Sequence, residues 1–157
     1  MKVEVVHEER YWYPDDGSIV WLSGYGPVDE NGRLLARDAP QLAQRGLVVS
    51  AVAGAARHHA EQLADAGADP GSSLTLRRDP ANEHDPYAIA VHLAGGGQLG
   101  WVPREVAAQL APELDAGTTW SALALRESRA SPRDPRSGLT MLLARAPRIE
   151  LVERARR

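Results

Sequence analysis

A mainly-β fold is the class this sequence predicts: a compact barrel or strongly bent sheet of about six short strands with two small helices. Three observations predict it. Apolar residues fall in short runs or strict alternation, bounded by Gly, Pro, Asp and Asn, as short antiparallel strands require. From residue 47 onward the element order reads β-α-β-β-β-α-β-β, with strands too closely spaced for a doubly wound parallel sheet. No Gly-rich phosphate loop follows a strand, because "AGGGQLG" joins two strands and reads as a hairpin turn.

The elements follow in order. "VEVV" and "SIVWL" read as short strands, and "VDENGRLL" as a hairpin turning at Asn31-Gly32. "RDAPQLAQRG" reads as a short helix with Asp38 as N-cap, Pro40 in the first turn and Gly46 after its end. "LVVSAVAG", Leu47 to Gly54, is a β-rich run, and "HHAEQLADAG" a helix that buries Leu63 and stops at Gly67. "SSLTLRRD" alternates Leu74 and Leu76 with polar residues, as a half-buried strand does. Two strands follow, Ala88–Leu93 and Gln98–Val102. A helix starts at Pro103 and stops near Gly117, and Pro112 is expected to kink or split it. "TTWSALALRES" is a strand, "RASPRDPRSG" a polar loop, and "LTMLLARAPRIELVE" one strand or two broken at Pro147. This divides the chain into an N-terminal extension (1–46), a domain (47–153) and a basic tail (154–157).

Composition narrows the function classes. With 43% hydrophobic residues the chain can bury a core, and without Phe its large apolar volume comes from Trp, Tyr, Leu and Val. The absence of cysteine excludes disulfides, thiol catalysis and cysteine-based metal sites. No apolar run is long enough for a membrane span and "MKVEVVHEER" is no signal peptide, so the expectation is a soluble cytoplasmic protein. A net charge of -3 argues against coating nucleic acid by bulk electrostatics. The charge is uneven: residues 1–70 carry 6 basic and 11 acidic side chains, residues 120–157 carry 9 arginines against 4 acids. Of 18 basic residues all but Lys2 are arginine, which suits phosphate and also follows from a GC-rich genome.

The candidate residues centre on "RRDPANEHDPYAIAV", Arg77 to Val91, where two Asp-Pro pairs enclose Asn82, Glu83 and His84 between two strands. Asp79, Asn82 and Asp85 suit Asx-type turns. Prolines restrict such a loop, so less entropy is lost when it holds a ligand. His58 and His59 are adjacent and point to different sides of a helix start. Gathered with His84 and Asp85 they offer metal-ligating types, although their spacing requires no metal. Trp101 reads either as a core side chain or as a stacking platform. Trp12, Trp21 and Trp120 read as core, Tyr87 as packed under the loop, and the arginines from Arg126 onward as a solvated surface. No nucleophile elbow, metalloprotease motif or placed carboxylate pair argues for catalysis, so no enzyme, cofactor or metal is expected.

Three blocks in this order resemble the HIRAN domain: "VAGAARHH", "LTLRRDPANEHDPYAIAV" and "QLGWVPREVAAQLAPELDAG", together spanning Val48 to Gly117. The second is similar to the family's Arg-x-Pro-x-Asn-x-(Tyr)-Asp-x-x-Ala-Ile-x-Val core. The family occurs alone in bacteria and at the N-terminus of eukaryotic fork-remodelling ATPases. The resemblance implies a small OB-like β-barrel and capture of single-stranded DNA at a 3′ end, in DNA repair or replication-fork processing. It implies single-stranded DNA or DNA ends as ligand, a helicase or nuclease as protein partner, and no membrane. On this sequence it implies that Asp85 accepts a hydrogen bond from a terminal hydroxyl, that Asn82 shapes the same loop, and that Arg57 contacts a phosphate or base. Trp101 falls at an aromatic or His position, and Arg104 at a basic one beside the helix start. His58 and His59 fall where DNA-binding members have two tyrosines, and His84 where the family usually has one. Imidazole stacks on a base with less area than phenol. These replacements, the acidic first half and the unmatched extension support an alternative: a protein-interaction or regulatory module that keeps the fold without binding DNA.

Overall fold

The structure is a computed structural model, and residues 1–155 are described. Of the tail expected at 154–157, Arg156 and Arg157 lie outside the described residues. The strands are β1 (Lys2–Trp12), β2 (Val20–Pro27), β3 (Leu47–Ala51), β4 (Ser73–Arg78), β5 (Ile89–Leu93), β6 (Gln98–Trp101), β7 (Ser121–Arg129), β8 (Arg136–Ala144) and β9 (Glu150–Glu153). The helices are α1 (Pro40–Gln44), α2 (Ala55–His58), α3 (Ala60–Ala64) and α4 (Arg104–Asp115), with a single 3₁₀ turn at Ala66–Ala68. The mainly-β class holds. The expected six strands and two helices are nine and four among the described residues. None of these helices is long and apolar enough to cross a membrane.

β7 is the hub. One edge pairs with β8 along its length, and β8 pairs in turn with β3. The other edge is divided: Ala122 and Leu123 pair with β4, while Arg126 to Arg129 pair with β2. The two partners diverge at a register shift between Ala124 and Arg126. Gly24 faces that shift: a Cβ there would lie 2.3 Å from the Leu125 carbonyl oxygen, so only glycine lets β2 approach. The sheet continues from β4 to β5 and β6 on one side, and from β2 to β1 and the parallel β9 on the other.

A closed barrel is not formed. Between β3 and β6 the ladder is replaced by one isolated bridge, in which Ala53 and Trp101 exchange hydrogen bonds of 2.8 and 2.9 Å. Gly100 permits it, since a Cβ would sit 2.4 Å from the Ala53 carbonyl oxygen and 2.7 Å from Val52. The chain turns into α2 directly after Ala53, so no second rung can form and the sheet stays open there.

Two hydrophobic cores share β7 and β8. One face carries Ala122, Ala124, Met141 and Leu143 into a core with Leu63, Ile89, Val91, Leu99 and Leu110. The other carries Leu123, Leu125, Leu142 and Ala144 into a core with Val3, Val5, Leu42 and Leu47. Burial on both faces explains why "ALAL" and "MLLA" are unbroken apolar runs rather than alternations. Leu142 is fully buried in the second core. Leu142→Ala is expected to cost about 2–5 kcal/mol. Urea unfolding should show one transition at a lower midpoint with its slope unchanged; separate transitions would mean that the cores unfold independently.

Several local expectations are corrected. β1 extends through Trp12, which is 49% exposed rather than core, and Tyr87 is 47% exposed rather than packed under its loop. "VDENGRLL" is a tight turn held by Asp29 Oδ1, with only an isolated Val28–Leu34 bridge beyond it. Asp38 does not cap α1; Ala39 precedes it without a side-chain bond, and Pro40 opens the helix. The helix expected from His58 starts earlier, at Ala55, and breaks at His59 before α3. Asp65 Oδ1 accepts the Gly67 N–H, closing the turn after α3. Pro112 does not split α4, which runs through it to Asp115. Ala107, Leu110 and Ala111 bury one face, while Pro112 and Ala108, whose carbonyl loses a donor, face solvent. The last apolar segment is two strands, with Pro147 in the connection.

The late arginines are not merely solvated. Arg136 has a side chain only 4% exposed and donates to the Leu63 and Asp65 carbonyl oxygens at 2.8 and 3.0 Å, and to Glu127 and Asp69. Arg129 Nε also reaches Glu127 Oε1, at 2.9 Å. Burial opposes the Glu127 charge, but the bonds from Arg129 and Arg136 outweigh it and hold the carboxyl below the usual glutamate range. Arg145 stacks over Trp120 at 5.0 Å, and both bind Glu113 of α4.

Candidate functional site

The opening between β3 and β6 is bordered by the Asp-Pro loop, and a cleft of about 360 Å³ lies there. Ala53, Ala88, Trp101 and Val102 form its apolar part, and Asn82, His84, Asp85 and Arg104 its polar rim. Five of the eight candidate residues therefore meet in one place, although they come from the β4–β5 loop, β6 and the start of α4. His58 flanks the cleft: a Cβ on Gly54 would be 3.5 Å from the His58 ring and 3.8 Å from the Trp101 ring. Arg57 on α2 and His59 beyond it do not line the cleft.

The loop is built by its own polar side chains. Asn82 Oδ1 accepts the N–H groups of His84 and Asp85 at 2.9 and 3.1 Å, and Asn82 Nδ2 donates to Asp79 Oδ2 at 3.3 Å. Asp85 Oδ1 accepts the Tyr87 N–H at 2.9 Å, an Asx turn around Pro86. Asp79 and Asn82 are thus turn residues. Asp85 is a turn residue through one oxygen only. Its other oxygen, Oδ2, faces Arg104 Nε across 3.8 Å, longer than a hydrogen bond, on a side chain just 16% exposed. Arg104 is 78% exposed and makes a long 3.4 Å contact with the His84 carbonyl oxygen, so its guanidinium keeps donors for a ligand.

Sequence reasoning missed Arg78. Its guanidinium donates to the Ala88 and Pro86 carbonyl oxygens at 2.8 and 3.0 Å and grips Asp115 of α4 with bonds of 2.9 and 3.1 Å. Asp115 holds the Arg78 pKa above its ordinary value, and Arg78 holds the Asp115 carboxyl below its own. The signal was parity: Arg78 shares the face of Leu74 and Leu76, and an arginine on an inward face needs fixed partners. Tying the loop to a helix end makes the cleft a preformed one.

Among the described residues no group of three or more His, Asp or Glu side chains is placed to hold a metal, so His58, His59, His84 and Asp85 do not gather into one. The cleft offers an apolar floor and aromatic wall for a planar ring, a cation for an anion, and a carboxylate oxygen for a hydroxyl donor.

Several known proteins are similar to this chain in sequence or in fold. Residues 46–135, more than half of the chain, match the sequence profile of the HIRAN domain. A 48-residue stretch is 54% identical to the Fanconi-associated nuclease 1 homolog of Oryza sativa subsp. japonica, covering 29% of this chain and 5% of that protein. The chain therefore spans a small part of that relative. The crystal structure of the HIRAN domain of human HLTF aligns over 62% of this chain and 74% of its own, with 23% identity and a TM-score of 0.46. A protein from Lactobacillus plantarum aligns over 63% and 99%, with 18% identity and a TM-score of 0.38.

Proposed function

Because the chain belongs to the HIRAN domain family, a family of DNA-binding modules, we propose that its cleft holds the free 3′ end of a single DNA strand. The observation that carries this reading is the meeting of Asn82, His84, Asp85, Trp101 and Arg104 around one apolar-floored cleft at the open side of the sheet. The terminal base lies against Trp101 and His84, Arg104 takes a phosphate, and the terminal hydroxyl donates to Asp85 Oδ2. A carboxylate accepts from a hydroxyl and repels a phosphate, so it selects an end over a continuing strand. Arg57 and His58, on α2 outside the cleft lining, are the proposed contacts for the next phosphate. Residues 47–153 are the binding unit and 1–46 its extension.

The module binds ends without cutting them, in repair or replication-fork processing, and a nuclease or helicase partner supplies the chemistry. The name of the rice relative supports a nuclease. Two stacked bases at roughly 1–3 kcal/mol each, with one charge-assisted hydrogen bond of about 1.5–3 kcal/mol, place the affinity between millimolar and micromolar. Fluorescence anisotropy with labelled single strands, one ending in a 3′-hydroxyl and one in a 3′-phosphate, at two salt concentrations tests it. Salt-sensitive binding that prefers the hydroxyl is the expected result. A second reading, a protein-interaction module, is favoured by the exposed Tyr13 and Ile19 near the β1–β2 turn. Absence of binding to both strands would select it.

A further inference from the structure

A second, larger cleft of about 720 Å³ lies between the N-terminal extension and the domain. Its lining includes three guanidinium groups, Arg10, Arg37 and Arg126, against the single carboxylate of Glu8. Trp12, half exposed, and Leu22 give it an aromatic and apolar side. Ser128 and Thr140 add hydroxyl donors, while Ser137 gives its hydrogen to the Ser128 carbonyl oxygen and offers lone pairs. Arg126 is the deepest cation. Burial lowers its pKa, Glu8 opposes that, and Arg37 and Arg10 add to it. Its Nη1 makes one long bond, 3.4 Å, to the Tyr25 carbonyl oxygen. An anion entering the cleft would offset positive charge that the protein has partly withdrawn from water.

The two clefts neighbour each other. Thr140 of the second is the register partner of Ala51, two residues before Ala53 of the first. Strand geometry puts those positions roughly 7 Å apart along the sheet and 5 Å across it. Hydroxyls, clustered arginines and an exposed Trp beside the first cleft favour a sugar-phosphate strand over an acidic peptide, which has no planar bases for Trp12.

We propose that the second cleft binds the continuation of the same single strand, with phosphates on Arg10, Arg37 and Arg126 and a base against Trp12. The proposal rests on the end-binding reading for its ligand class and adds a footprint of several nucleotides that the extension completes.

The test is anisotropy on the full chain with three-nucleotide and ten-nucleotide single strands, comparing wild type with an Arg10→Ala/Arg37→Ala variant and with Trp12→Ala. All three side chains are exposed, so folding is spared. The double variant should bind the longer strand about tenfold more weakly, with the salt slope reduced by about 1.4 for two lost phosphate contacts, and bind the trimer as before. Trp12→Ala should weaken the longer strand alone, with the salt slope unchanged. Unchanged affinity for the longer strand in both variants overturns the proposal and leaves the cleft to an acidic peptide. Equal weakening of both lengths overturns it too, since the clefts would then not be separate subsites. If the trimer fails to bind wild type while the longer strand still depends on Arg10 and Arg37, the end-binding reading falls and the second cleft stands.

Discussion

Asp85→Asn is expected to erase the preference for a 3′-hydroxyl over a 3′-phosphate while leaving the loop folded. Asparagine keeps the Oδ1 that accepts the Tyr87 N–H at 2.9 Å, so the turn around Pro86 survives. It removes the charge and the second acceptor that faces Arg104 at 3.8 Å. A hydrogen bond to a charged group is worth roughly 1.5–3 kcal/mol, so the hydroxyl-ended strand should bind about 10–100-fold more weakly. The phosphate-ended strand should bind more tightly, because a like charge is gone. Thermal melting that stays within about 2 °C of wild type would separate this from loop collapse. A preference unchanged in the variant would remove Asp85 from the terminus and the end-recognition reading with it.

Arg136→Ala should be the most destabilising polar substitution. It takes the guanidinium donor from the Leu63 carbonyl oxygen and from that of Asp65, which keeps only the Ala68 N–H, and it half-unpairs Glu127, whose side chain is only 12% exposed. Removing one partner of a buried pair costs about 3–5 kcal/mol, or roughly 6–20 °C in melting temperature. The cost depends on pH in a stated direction. Glu127 has a folded pKa below its ordinary 4.5, so the pairing contributes fully above that value and is lost as pH falls through the folded one. Urea unfolding at pH 7 and near pH 3 should therefore show the gap between wild type and variant narrowing in acid. A gap below about 1 kcal/mol at pH 7, or one independent of pH, would show that the network is not a stabilising one.

Much of the loop chemistry was legible because it is local. Asn82 and Asp85 reach backbone groups two or three residues away, and Pro86 sets the turn, so the residues that shape the loop are the residues in it. The strands flanking it were visible for the same reason, by alternation in "SSLTLRR" and a short apolar run in "AIAVHL". Arg78 was hidden because its partner Asp115 is 37 residues away on another element. Arg136 was hidden behind 67 and 73 residues of chain from Asp69 and Leu63, so composition showed only another arginine.

The β class, the turn that holds the loop, and the family to which residues 46–135 belong were readable from the chain alone, since these depend on period, turn chemistry and motif order. Folding in three dimensions is what leaves the sheet open at the Ala53–Trp101 bridge and brings Trp101 and Arg104 to stand across from Asp85. The same long-range packing draws the first 46 residues into the sheet, through β2 on β7, and buries a second core against β7 and β8. The physical reason is range. Alternation and turn residues act over two to four positions, whereas an apolar side chain and a guanidinium are satisfied by whatever neighbour the whole chain brings to them.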